Sequence, residues 1–177
     1  MKSVPLEETY LWKYYQAAVN HEVVDGQRIV IGHELRTELE KLIDEYDDER
    51  YYYDTTAALL RMDFMENCVR LTKSPFYGQP MKLMLWQKAF IEVVYSYKMT
   101  ADGTDRFRRI LLLIARKNTK SETCSGLALT ELITGADGSD IVCSSNDDNQ
   151  ANILYEAINT MRLMIDPKQQ DTWKNQQ

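Results

Sequence analysis

Ile110-Leu111-Leu112-Leu113-Ile114-Ala115 runs directly into Arg116-Lys117-Asn118-Thr119-Lys120-Ser121, and a helical pattern follows from Glu122 to Leu132. Five consecutive large aliphatics predict a strand buried on both faces, the kind found inside a parallel sheet. A strand, a phosphate-sized polar turn, Lys-Ser and a helix make up the layout of a nucleotide-binding loop. In that layout backbone N–H groups and a helix N-terminus cradle phosphates, Lys meets the β/γ-phosphates and a Ser/Thr hydroxyl holds Mg²⁺. The pattern G-x-x-x-x-G-K-[ST] would place glycine at positions 114 and 119, and this chain has Ile114 and Thr119 there. A β-branched residue resists positive φ and brings its side chain to where backbone usually meets phosphate, so Thr119 counts against such a loop unless it keeps negative φ.

Working outward, a second strand is expected at Asp140–Ser145. Asn146-Asp147-Asp148-Asn149 should cap a helix from Gln150 to about Met164. This β-α-β-α order implies a parallel sheet with crossover helices. Upstream the pattern is helical. Leu6–Asn20 and Val30–Glu49 carry apolar residues at helical spacing, the second with Leu35, Leu39, Leu42, Ile43 and Tyr46 on one face. Asp54-Thr55-Thr56 predicts the start of a third helix, with Leu59, Leu60, Met62, Phe64, Met65 and Val69 inward. A fourth is expected over about 83–98. Asp25-Gly26 and the stretch Ser74-Pro75-Phe76-Tyr77-Gly78-Gln79-Pro80 mark a turn and a loop. The break at Thr100–Thr104 divides the chain into a helical region, 1–100, and the start of an ATPase domain, 101–177. The fold class is therefore α/β: a helical N-terminal part followed by the first β-α-β-α of a P-loop NTPase parallel sheet. Two strands do not complete such a sheet, and no aliphatic run ending in Asp-Glu follows Ser121. The expectation is a truncated piece of a longer NTPase that does not turn over ATP alone.

Composition bounds the alternatives. With 177 residues, 44% hydrophobic and 27% charged, the chain is globular, and 7 glycines and 4 prolines favour a helix-rich class. The net charge of −6 argues against attraction of nucleic acid to the whole surface. Yet Arg106–Lys120 holds six basic residues and no acid, which localises any anion binding to the expected strand and loop. Arg108 and Arg109 fit either that role or mere flanking of a buried strand. Cys68, Cys124 and Cys143 are odd in number and lack a C-x-x-C pair, which fits reduced thiols in a cytoplasm. His21 and His33 do not suggest a metal cluster, and no apolar run approaches the ~18 residues of a membrane span.

On spacing alone Lys120 and Ser121 fit a phosphate and metal site or an ordinary strand–helix connection. Arg116 could reach a γ-phosphate or could be a solvated strand end. Trp86-Gln87 could offer a stacking face and an amide to adenine, or Trp86 could be core. The run Tyr51-Tyr52-Tyr53, with acidic neighbours, reads as a packing surface between helices.

Taken in order, several segments resemble the N-terminal part of the large terminase subunit of tailed bacteriophages, the ATPase–nuclease that drives DNA into capsids. They are Tyr14-Tyr15 through Asp25-Gly26, Gly32–Glu40, Ser74–Pro80, Leu83-Met84-Leu85-Trp86-Gln87, Arg116–Ser121 and Ser144–Ala151. The resemblance implies a variant phosphate loop, Arg-Lys-Asn-Gly-Lys-Ser, matched here by Arg116, Lys117, Asn118, Lys120 and Ser121. Thr119 stands in place of the family's usual glycine. It also implies ATP and Mg²⁺ as ligands, with Ser121 on the metal and Lys120 and Arg116 on the phosphates. Trp86 and Gln87 would lie near adenine. Double-stranded DNA, a small terminase subunit and a portal protein would be the partners, in a ring-shaped assembly in the host cytoplasm. A non-catalytic module that docks partner subunits, and a fragment of another helicase-like P-loop enzyme, are the competing readings.

Overall fold

The computed structural model describes residues 4–115 and 118–166. The chain divides into two compact units, residues 1–62 with 83–112, and residues 63–82 with 113–177.

In the first unit a single 3₁₀ turn (Leu6–Glu8) leads through Thr9 into α1 (Tyr10–Val19). The Thr9 hydroxyl caps this helix by accepting from the Trp12 N–H at 3.1 Å, as an N-cap should. Asp25 and Gly26, both at positive φ, turn a short hairpin of β1 (Val23–Val24) and β2 (Gln27–Arg28). That is the geometry an Asp-Gly pair favours in a two-residue turn. Helix α2 (His33–Asp44) buries Leu39, and Tyr46 is buried just beyond its end, whereas Leu35 stays 44% exposed. Helix α3 (Thr56–Cys68), which passes from the first unit into the second after Met62, begins as expected, with Asp54 Oδ1 accepting from the Thr56 N–H at 2.9 Å. Its inward face differs from the expectation. Met62 and Met65 are buried, while Leu59 and Leu60 are 47% and 52% exposed. Ala58, Met62 and Met65 follow the i, i+4, i+7 spacing of a helix's buried stripe.

The tyrosine run packs against helix residues Leu42 and Val93, as expected, but it does so as a strand. Tyr51–Tyr53 forms β3, paired antiparallel with β4 (Tyr97–Met99), which continues directly from α4 (Leu85–Ser96). Tyr53 and Tyr97 are fully buried and meet edge to face, with centroids 4.8 Å apart. Tyr46, Tyr51 and Phe107 complete the aromatic cluster, a packing geometry that adds to area burial. The break at Thr100–Thr104 is a turn within this unit. Met99 donates to the Thr104 carbonyl and Lys98 bridges Asp105, so the chain folds back on β4.

The second unit is built on α5 (Lys120–Thr134), which packs against α6 (Asp148–Ile165). Leu129, Ala157, Ile158 and Met161 are buried in it, and Asp147 caps α6 through the Asn149 N–H. Residues 69–81 fold as a hairpin-like loop. Leu71 donates to the Gln79 carbonyl, Gly78 to Leu71 and Met81 to Val69.

Among the described residues the sheets are the two antiparallel pairs, and no parallel sheet is formed. The strands expected at Ile110–Ala115 and Asp140–Ser145 carry no ladder bonds. Leu111, Leu113 and Val142 are 81%, 83% and 83% exposed. An aliphatic run supplies side chains suited to a buried strand, but the strand itself requires neighbours for its N–H and C=O groups.

Candidate functional site

The residues singled out by sequence fall in both units. Trp86 and Gln87 are the second and third residues of α4, in the first unit. Trp86 is half-buried and Gln87 is buried. The Gln87 side-chain oxygen accepts from the Met84 N–H at 2.7 Å. It satisfies one of the donors that a helix start leaves open, so at least part of this amide works for the fold.

The loop residues lie in the second unit. Arg116 and Lys117 fall outside the described residues. Asn118 and Thr119 form an exposed bend, Lys120 is the exposed first residue of α5, and Ser121 follows half-buried. The helix thus starts where the Lys-Ser motif required it to start. Thr119 does not keep negative φ. It adopts φ 54° and ψ 15°, the left-handed region. The carbonyl of Thr119 anchors this turn, accepting from the N–H and the hydroxyl of Thr123, both at 2.9 Å. A left-handed residue leading into right-handed helix turns successive N–H groups toward one side, the concavity known as a nest, which suits anions. The strain at Thr119 is then the consequence of a β-branched residue where the loop geometry favours glycine.

The Thr119 side chain makes no capping bond to the start of α5. The Thr119 hydroxyl donates to the Asn118 carbonyl at 2.8 Å. Glu122, at the position from which a carboxylate commonly reaches back to the helix start, is buried and turned away. Its Oε1 accepts from the Thr72 hydroxyl at 2.6 Å and its Oε2 from the Thr72 N–H at 3.2 Å. Neither Glu122 nor Thr72 was singled out from sequence. The only local signal was an acid directly after Lys-Ser, and its partner is 50 residues away. Cys124, one turn beyond Lys120, has its thiol pushed up by burial, which disfavours a thiolate nucleophile.

Among the described residues no group of three or more His, Cys, Asp or Glu is placed to hold a metal. That is compatible with Mg²⁺, which retains waters and commonly takes few protein ligands beside substrate phosphates. The Ser121 hydroxyl is of the right chemistry for such a ligand.

Residues 85–175 match the family model of the terminase large subunit, ATPase domain. The chain belongs to that family. The match includes α4 from its first residue, the Arg116–Ser121 loop, α5 and α6, so the terminase ATPase region takes in every residue proposed for nucleotide. Neither the curated proteins nor the solved structures compared with this terminase chain give a significant match. Terminase large subunits are DNA-packaging ATPases, and nucleotide with Mg²⁺ is the ligand class that membership implies. No described helix is long and apolar enough to cross a membrane.

Proposed function

We propose that this chain carries the nucleotide-binding part of a DNA-packaging motor, with ATP·Mg²⁺ held at the start of α5. The observation that carries this reading is the turn at Thr119. A left-handed residue is followed at once by Lys120 and Ser121 on a helix that its N-cap side chain does not cap. The partial positive charge and the N–H groups at a helix N-terminus favour phosphate. Lys120 supplies a mobile ammonium to the β/γ-phosphates, and Arg116 a second cation for the γ-phosphate. Lys117, Asn118 and Thr119 contribute backbone to the loop. Ser121 holds Mg²⁺, which neutralises phosphate charge when bound.

Hydrolysis also needs a carboxylate to position water. The reading assigns nucleotide binding to the residues named above, where binding would drive translocation of double-stranded DNA within a ring that engages a small terminase subunit and a portal protein in the host cytoplasm. The helical region, 1–100, precedes the ATPase portion, 101–177, in this proposal.

Thermal unfolding with and without ATP·Mg²⁺ tests it. A ligand at 100 times its Kd stabilises the native state by about 2.7 kcal/mol, and Lys120→Ala should abolish the shift. No shift at millimolar ATP·Mg²⁺ would refute nucleotide binding and favour a module that only docks partner subunits.

A further inference from the structure

Glu122 presents a puzzle for any anion site ahead of α5. Its carboxylate stands two residues after Lys120, at a position from which it could turn back onto the helix N-terminus. There it would compete with phosphate for the same N–H groups and repel its charge. It is instead buried, with one oxygen on the Thr72 hydroxyl and the other on the Thr72 N–H. Thr72 follows Leu71, whose N–H donates to the Gln79 carbonyl and whose carbonyl accepts from the Gly78 N–H, and precedes Lys73, whose carbonyl accepts from the Phe76 N–H.

Resting on the nucleotide-site reading above, we propose that Thr72 is a positioning residue for phosphate binding. By engaging the Glu122 carboxylate it keeps that charge away from the start of α5, leaving the helix terminus to the nucleotide. The pair therefore acts as an internal lock on a competing anion, and Thr72 acts through Glu122 without touching the ligand.

A double-mutant cycle separates this role from simple stabilisation of the loop. ATP·Mg²⁺ affinity is measured by titration calorimetry on the wild type, Thr72→Val, Glu122→Gln and the double variant, each first checked for native circular dichroism. Loss of one hydrogen bond to a charged group predicts that Thr72→Val binds about threefold to tenfold more weakly. Glu122→Gln, which removes the competing charge, should bind at least as tightly as the wild type and should rescue Thr72→Val. Thr72→Ser, which retains the hydroxyl, should bind like the wild type.

If the pair were only structural, Glu122→Gln would weaken binding and the double variant would be no better than Thr72→Val. Either result overturns the assignment, as does wild-type affinity in Thr72→Val. Should Thr72→Val not fold, Glu122→Gln alone decides: binding threefold or more weaker than wild type refutes the lock. Absence of binding by the wild type overturns the nucleotide-site reading itself, and this inference with it.

Discussion

The Glu92 carboxylate accepts from the Leu11 N–H at 3.0 Å, so a charge on α4 is buried against the first turn of α1. Glu92 is 2% exposed and also takes the Tyr53 hydroxyl at 3.3 Å. The open N–H groups and dipole of α1 favour the carboxylate form. Burial disfavours it more, and the carboxyl is raised above its ordinary value of 4.5, with Lys13 and the α1 amides opposing.

That balance fixes a pH dependence. The native state holds the Glu92 proton more tightly than the unfolded chain does. The stabilisation from this group is thus fully present below the unfolded pKa and is lost as pH rises through the folded one. Chemical denaturation of the wild type and Glu92→Gln from pH 7 to pH 4.5 should show the difference between them moving in favour of the wild type as pH falls. A difference that is flat, or that moves the other way, would contradict the burial account.

Thr119 offers a second test. Its φ of 54° is strained for a β-branched residue by about 1–2 kcal/mol. Thr119→Gly relieves that strain but enlarges the entropy of the unfolded chain by part of the same amount. The net expectation is stabilisation by about 0.5–1 kcal/mol, read as a rise in Tm of about 1–4 °C. Thr119→Ala, which keeps a Cβ, should give no such gain. Equal effects of glycine and alanine would show that this turn is not left-handed in solution.

Arg106 ties the aromatic cluster to Glu45. The guanidinium carbon lies 4.1 Å from the Tyr51 ring centroid and 4.9 Å from that of Tyr97, and the group is paired with the Glu45 carboxylate. Its side chain is only 13% exposed, so the planar cation contributes stacking as well as charge. Arg106→Ala should destabilise by about 2–3 kcal/mol. Arg106→Lys should recover only a minor part, because an ammonium cannot lie flat on two rings. Full rescue by lysine in urea melts would argue against stacking.

Gly126 faces the methionines of its unit. A Cβ there would stand 3.1 Å from the Met81 Cε and 3.2 Å from the Met65 Cε, both ends of flexible side chains. Gly126→Ala should therefore be nearly neutral, since a gain of about 1 kcal/mol in helix propensity offsets the crowding. Gly126→Leu overfills the same space and should cost about 1–3 kcal/mol. Equal tolerance of both variants would mean that the small residue is not required by packing.

The helices were legible in the sequence because their signals are local: apolar spacing, Asp-Thr-Thr before α3, the Asn-Asp run before α6, Lys-Ser at the start of α5. Several short segments, each contiguous in the chain and spread over most of it, pointed to the right family. Tertiary structure alone decided what spans long separations. Tyr51–Tyr53 became a strand because Tyr97–Met99 lies beside it, Glu92 reached Leu11 across 81 positions, and Glu122 found Thr72. The aliphatic run at 110–115 makes the same point in reverse. Side-chain pattern is written within a segment, whereas a strand exists only through backbone hydrogen bonds to another one.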